Sequence, residues 1–148
     1  MQMSMLELIK TNFDLKGQDI RTFSPLTLAY IGDGVYELVV RTMVTEWGNR
    51  PVNELNKLST TYVKAETQAE MIIALKEELT EEEAEVFKRG RNAKPYTKAK
   101  NATRADYHKA TGFEALMGYL YLTEQTERML YLIKRGMELT GKDMKAHE

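Results

Sequence analysis

Between Leu26 and Val40 the chain is apolar on every side of a helical projection, and a single aspartate, Asp33, stands in its middle between Gly32 and Gly34. Ser24-Pro25 sets the start of this segment as a helix: Ser serves as N-cap, and Pro takes the first helical position, where its missing N–H costs nothing. The helix is expected over 25–47, stopping at Gly48-Asn49. A helix apolar all round has to be covered by other elements. The rest of the chain therefore has to supply packing partners, and its periodicity offers helices throughout.

A short amphipathic helix is expected over 3–12, then a polar connection over 14–22. Pro51 opens a second stretch with Leu55, Leu58, Tyr62 and Val63 at helical spacing, continued over 65–78 by Ala69, Ile72, Ile73 and Leu75. Thr80 and Glu83 form a capping box for a helix over 81–89, which Gly90 terminates. Residues 91–104 lack apolar periodicity and contain Pro95, so they read as a loop. Helices over 105–122 and 124–139 follow, the second capped by Thr123 and ended at Gly141. The fold class is all-α, with residues 1–148 as one domain and a short flexible tail from about residue 141.

Composition excludes several functions. Hydrophobic residues at 43% and charged residues at 29% rule out a disordered chain. With no cysteine there is no disulfide, thiol catalysis or thiolate zinc site, and two histidines, His108 and His147, cannot build a multi-histidine centre. No apolar run approaches the roughly 18 residues of a membrane helix, and the N-terminus carries no secretory pattern. A cytoplasmic protein without a membrane partner is expected.

The net charge of −1 hides an asymmetry. From Lys88 to Lys109 eight basic residues face only Asp106, giving +7, while the remainder carries −8. Such a stripe is the electrostatic footprint of a phosphate-backbone binder. It can equally be a solvated surface.

Glu114 interrupts the apolar run 113–122 as Asp33 interrupts 26–40. An ionised carboxylate in an apolar setting needs a cation or a solvent cleft. One divalent ion shared by Asp33 and Glu114 would serve both, whereas a distant Arg or exposure to solvent is the plainer solution. Gly32, Gly34 and Gly118 each cost about 1 kcal/mol of helix stability, which suggests close backbone packing around the two acids. Glu37, one turn beyond Asp33, extends the acidic face and could act behind the two acids on the ion's water. Oxygen ligands favour Mg²⁺, with Mn²⁺ as substitute.

At these residues the sequence becomes recognisable. Leu28-Ala-Tyr-Ile-Gly-Asp-Gly-Val-Tyr-Glu-Leu-Val-Val-Arg41 resembles the ribonuclease III signature, in particular that of the short Mini-III branch. Lys88-Arg-Gly-Arg-Asn-Ala-Lys94, Thr111-Gly-Phe-Glu-Ala-Leu-Met-Gly-Tyr-Leu120, and Asn56-Lys-Leu-Ser59 with Val63-Lys-Ala-Glu-Thr-Gln68 are similar to that branch in the same order. The resemblance implies a helical endonuclease domain, a homodimer and magnesium-dependent cleavage of double-stranded RNA to 5′-phosphate and 3′-hydroxyl ends. It also implies the absence of a separate RNA-binding domain and a role in maturing 23S ribosomal RNA. It assigns Asp33 and Glu114 as catalytic metal ligands. The larger family has acids where this chain has Ala29 and Thr111, so fewer carboxylates reach the metal here.

The expected function is a dimeric endoribonuclease. Arg89, Arg91, Lys94, Lys98 and Lys100 would grip phosphates, with Asn92 reaching a 2′-OH, and the signature helix with Tyr30, Tyr36 and Val39 would form part of the dimer interface. A non-catalytic helical RNA- or ribosome-binding module is the alternative. A metal-dependent nucleotide hydrolase is a third reading, although the basic segment exceeds what a mononucleotide requires.

Overall fold

The computed structural model describes residues 2–94 and 104–143. Among them every regular element is helical: α1 (Met5–Asn12), α2 (Pro25–Glu46), α3 (Val52–Val63), α4 (Ala65–Leu75), α5 (Glu81–Asn92), α6 (Arg104–Leu122) and α7 (Thr126–Leu139), with single 3₁₀ turns at Ile20–Thr22 and Lys76–Glu78. The expected all-α class holds.

The predicted starts of α2 and α5 are made by the expected atoms. Ser24 Oγ accepts from the Thr27 N–H, and Thr80 and Glu83 form a reciprocal capping box. Glu83, at this buried helix start, also pairs with Arg128 at 2.8 Å, which fixes α7 against the α5 N-terminus.

The middle of the molecule belongs to α6 rather than α2. From Ala110 to Leu120 every α6 residue is buried except Glu114, and α2, α4, α5 and α7 all pack on this rod. The core joins Phe113, Leu116, Met117 and Leu120 of α6 to Tyr36 and Val40 of α2, Met71 and Ile72 of α4, Phe87 of α5 and Leu132 of α7. By contrast α2 leaves one stripe uncovered: Tyr30 is 81% exposed, Leu38 51%, and a Cβ at Gly34 between them would meet nothing within 4 Å. A helix apolar all round is thus half-covered by its own chain. Tyr36, expected at an interface, is wholly buried, its ring edge-on to Phe113.

Three boundaries differ from expectation. Gly90 does not end α5; it lies inside the helix, where an added Cβ would come within 2.7 Å of the Ala115 Cβ and 2.9 Å of the Gly112 Cα. The helix consequently carries Arg91 and Asn92, expected in the loop. Thr123 does not cap α7: its hydroxyl donates back to the Tyr119 carbonyl at 2.7 Å, and α7 begins only after Gln125. The stretch 51–78 is not continuous, because Lys64 adopts an extended conformation and separates α3 from α4.

That corner leaves no loose ends. The last four carbonyls of a helix have no intrahelical donor. In α3 the Thr60 carbonyl accepts from the Lys64 N–H at 3.2 Å, Thr61 from Thr67 Oγ1 at 2.6 Å, Tyr62 from the Tyr36 hydroxyl at 2.7 Å, and Val63 from Gln68 Nε2 at 2.8 Å. At the other end of the chain, Gly141 has the positive φ of 71° that suits a helix stop, and Lys142 pairs with Glu70 of α4 at 2.7 Å. The remainder of the expected tail, 144–148, lies outside the described residues.

Candidate active site at the crossing of two helices

The helices α2 and α6 cross at glycines. A Cβ on Gly32 would sit 1.7 Å from the Glu114 carbonyl oxygen, and one on Gly118 would sit 2.0 Å from the Leu28 carbonyl oxygen. Two of the three glycines that suggested close packing are therefore at the contact; Gly34 faces away from it. Because Gly32 and Asp33 are adjacent, main-chain contact at one carries the aspartate to the helix that bears Glu114.

Asp33 is exposed and Glu114 half-buried. Burial, then the nearby Asp33 charge and a hydrogen bond with its carboxyl, push the Glu114 carboxyl up to about 8. Two like charges in one place cannot both ionise cheaply, and the second stays protonated unless a cation joins them. Gln68 Nε2 donates to Glu114 Oε2 at 3.3 Å and works in the opposite direction, favouring the ionised form. Glu37 is partly exposed and engaged with Arg41 at 2.8 Å, one turn along α2. Among the described residues no group of three or more acids, histidines or cysteines is arranged to hold a metal ion, so the pair Asp33 and Glu114 stands without a third such ligand. Ala29 and Thr111, where the larger family was expected to place acids, are buried; Thr111 spends its hydroxyl on the Tyr107 carbonyl at 3.0 Å.

The ribonuclease III domain model matches residues 26–125, a span that contains both acids and the crossing. Proteins called Mini-ribonuclease 3 are similar over most of their length. That of Clostridium tetani is 48% identical over 123 residues, 82% of each chain. That of a Thermoanaerobacter species is 40% identical over 139 residues, 94% of this chain and 98% of the relative. The chain belongs to the Mini-ribonuclease III branch of the ribonuclease III family. A crystal structure of a Fusobacterium nucleatum protein superposes with a TM-score of 0.73 at 32% identity, covering 79% of this chain and 95% of that one. Membership makes the chain an endoribonuclease, and the helical architecture is that of the family.

For a ribonuclease III-type enzyme the basic segment is the next question. It divides. Arg91, Asn92 and Lys94 line a hollow of about 430 Å³ together with Arg104, His108 and Lys109 from the start of α6. His108 is half-buried there. Arg89 points elsewhere, into a larger cavity of about 920 Å³ that it shares with Glu81, Glu82, Glu85 and Arg128. Arg91 is further held by Phe87, with its guanidinium 5.6 Å from the ring centroid. Lys98 and Lys100 lie outside the described residues.

Gln68 could not be picked out by its residue type. An amide in the first turn of an amphipathic helix looks like surface, yet Gln68 is 2% exposed and touches the site glutamate. Only its place in the block Val63-Lys-Ala-Glu-Thr-Gln68 set it apart.

Proposed function

We propose that this endoribonuclease is magnesium-dependent and cuts double-stranded RNA, with the precursor of 23S ribosomal RNA as its substrate, acting as a homodimer in the cytoplasm. One observation carries the reading: two carboxylates that would repel each other are held together at a glycine-made crossing, and the helix that bears Glu114 also helps to line a basic hollow at its start.

The donor set fits a hard cation. Asp33 and Glu114 offer carboxylate oxygens close enough to share a hydrogen bond. All are oxygen, with no sulfur or imidazole, which suits Mg²⁺ with Mn²⁺ as substitute. Asp33 and Glu114 would hold the ion, leaving the remaining positions to water. When bound, it neutralises charge at the scissile phosphate and lowers the pKa of an attacking water.

The chain's own residues do the rest. Asp33, exposed, receives substrate from solvent, and half-buried Glu114 keeps its position through Gln68 and the α2–α6 contact. Arg91, Lys94, Arg104 and Lys109 attract the phosphate backbone, and Asn92 is available for a 2′-hydroxyl. A-form RNA is recognised by shape and backbone contacts, which a set of long cationic side chains can follow without a base code. The uncovered stripe Tyr30, Gly34 and Leu38 supports a two-fold contact between copies, since two large apolar side chains stand exposed on either side of a glycine that leaves room for close approach.

The test is purified protein with a duplex RNA, with and without Mg²⁺. Short duplex products ending in 5′-phosphate only when Mg²⁺ is present are expected. Binding without cutting under every metal condition would leave the non-catalytic module instead.

A further inference from the structure

We propose that Gln68 is a positioning residue of the active site: its side-chain amide ties the Glu114 carboxylate to the C-terminal end of α3. The proposal rests on the reading of Asp33 and Glu114 as the metal-holding pair.

Gln68 is buried in the first turn of α4, and its Nε2 makes two hydrogen bonds, to the Val63 carbonyl at 2.8 Å and to Glu114 Oε2 at 3.3 Å. A backbone carbonyl can only accept, so Val63 decides which way round the amide sits. With the amide reversed, Gln68 Oε1 would confront the Val63 carbonyl, which has no proton to give. The donor therefore always faces Glu114, and α3, α4 and α6 meet at one nitrogen.

A purely structural role would need only the bond to Val63. Its neighbour Thr67 supplies the comparison: Thr67 is equally buried and caps the Thr61 carbonyl from the same turn, but it has no bond to either acid. If capping were the whole purpose of Gln68, the two side chains would be equivalent. The second N–H bond, to the one partly accessible residue of the α6 core, makes them different. A hydrogen bond to an ionised group is worth more than a neutral one, so losing it should weaken cation binding about tenfold.

The experiment compares Gln68→Met and Thr67→Val in the full chain. Four quantities are read: Mn²⁺ affinity from the electron paramagnetic resonance of the free ion, kcat and KM on duplex RNA, and melting temperature. Both variants should melt lower. Only Gln68→Met should weaken Mn²⁺ binding about tenfold and lower kcat, with KM for RNA changed by less than about twofold. In a Glu114→Gln background the effect of Gln68→Met on Mn²⁺ should disappear, because the residue acts through that carboxylate. Should Gln68→Met not fold, Gln68→Asn serves: it keeps the amide on a shorter stem and has to show the same weakened Mn²⁺ binding. A Gln68 variant with lowered melting temperature but wild-type Mn²⁺ affinity and kcat overturns the proposal and leaves a helix cap. If the unaltered chain neither binds Mn²⁺ nor cuts RNA, the metal-site reading fails first, before any variant is compared.

Discussion

At the scale of single residues, the two acids make opposite demands on the folded chain. Asp33→Asn and Glu114→Gln should each reduce cleavage by at least about a thousandfold while helicity and RNA binding persist, because among the described residues neither acid has a salt bridge to lose. Gel shift, circular dichroism and product analysis on the two variants test this, and substantial residual cleavage would remove that residue from the catalytic pair. Stability should respond to pH through Glu114. Without a cation its carboxyl keeps a proton up to about pH 8 in the folded chain, but only to about 4.5 when unfolded. The folded state binds more protons between those values, so this contribution is complete below 4.5 and is lost as pH rises through about 8. In EDTA the urea midpoint should fall from pH 5.5 to pH 8.5, and Glu114→Gln should flatten the decline. Glu83, held below the ordinary range first by Arg128, acts in a separate window: its stabilisation is present above about 4.5 and fades as pH drops.

At the scale of helices, glycines that read alike in sequence have different uses. Gly118→Ala would drive a methyl into the Leu28 carbonyl and should cost about 3 kcal/mol or more, whereas Gly34→Ala meets nothing in its own chain and should gain up to about 1 kcal/mol in a dilute monomer. Chemical denaturation of both variants checks the contrast. The sequence did reveal the acids, since a charge in an apolar run is an exception, and it revealed the starts of α2 and α5, since Ser-Pro and a capping box act on adjacent atoms. Gly90 was opaque: a glycine after a basic last turn looks like a helix stop, and only Gly112 and Ala115, distant in sequence, show that it is a packing glycine. The break at Lys64 was equally hidden, because Thr67 and Gln68 satisfy the carbonyls of α3 from the next helix and leave no Gly or Pro as a marker. The basic segment announced its charge but not its division between two hollows. For that reason Arg91→Ala with Lys94→Ala should lower the salt slope of RNA binding by about 0.7–0.9 per lost contact, and Arg89→Ala should leave it nearly unchanged.

At the scale of the whole molecule, one pair of acids can cut one strand, while a duplex presents two antiparallel strands related by a two-fold axis. Replacing Leu38 by Glu on the uncovered stripe should shift a dimer towards monomer in sedimentation. Mixed dimers of unaltered and Asp33→Asn chains should nick a duplex on one strand. A loss of double-strand cleavage with no nicked species would argue against one site per strand. The same crossing also decides how this enzyme fails with heat. The peripheral α1 buries only Leu6 and is tied at its start by Ser4 to Glu124, so it can open without disturbing α2 or α6. The acids, by contrast, are spaced by main chain lying against main chain, and their separation cannot widen until those two helices part. Amide exchange along α6 should therefore be the slowest in the molecule. Catalytic competence should survive the opening of α1 and vanish once the helices packed on α6 come apart.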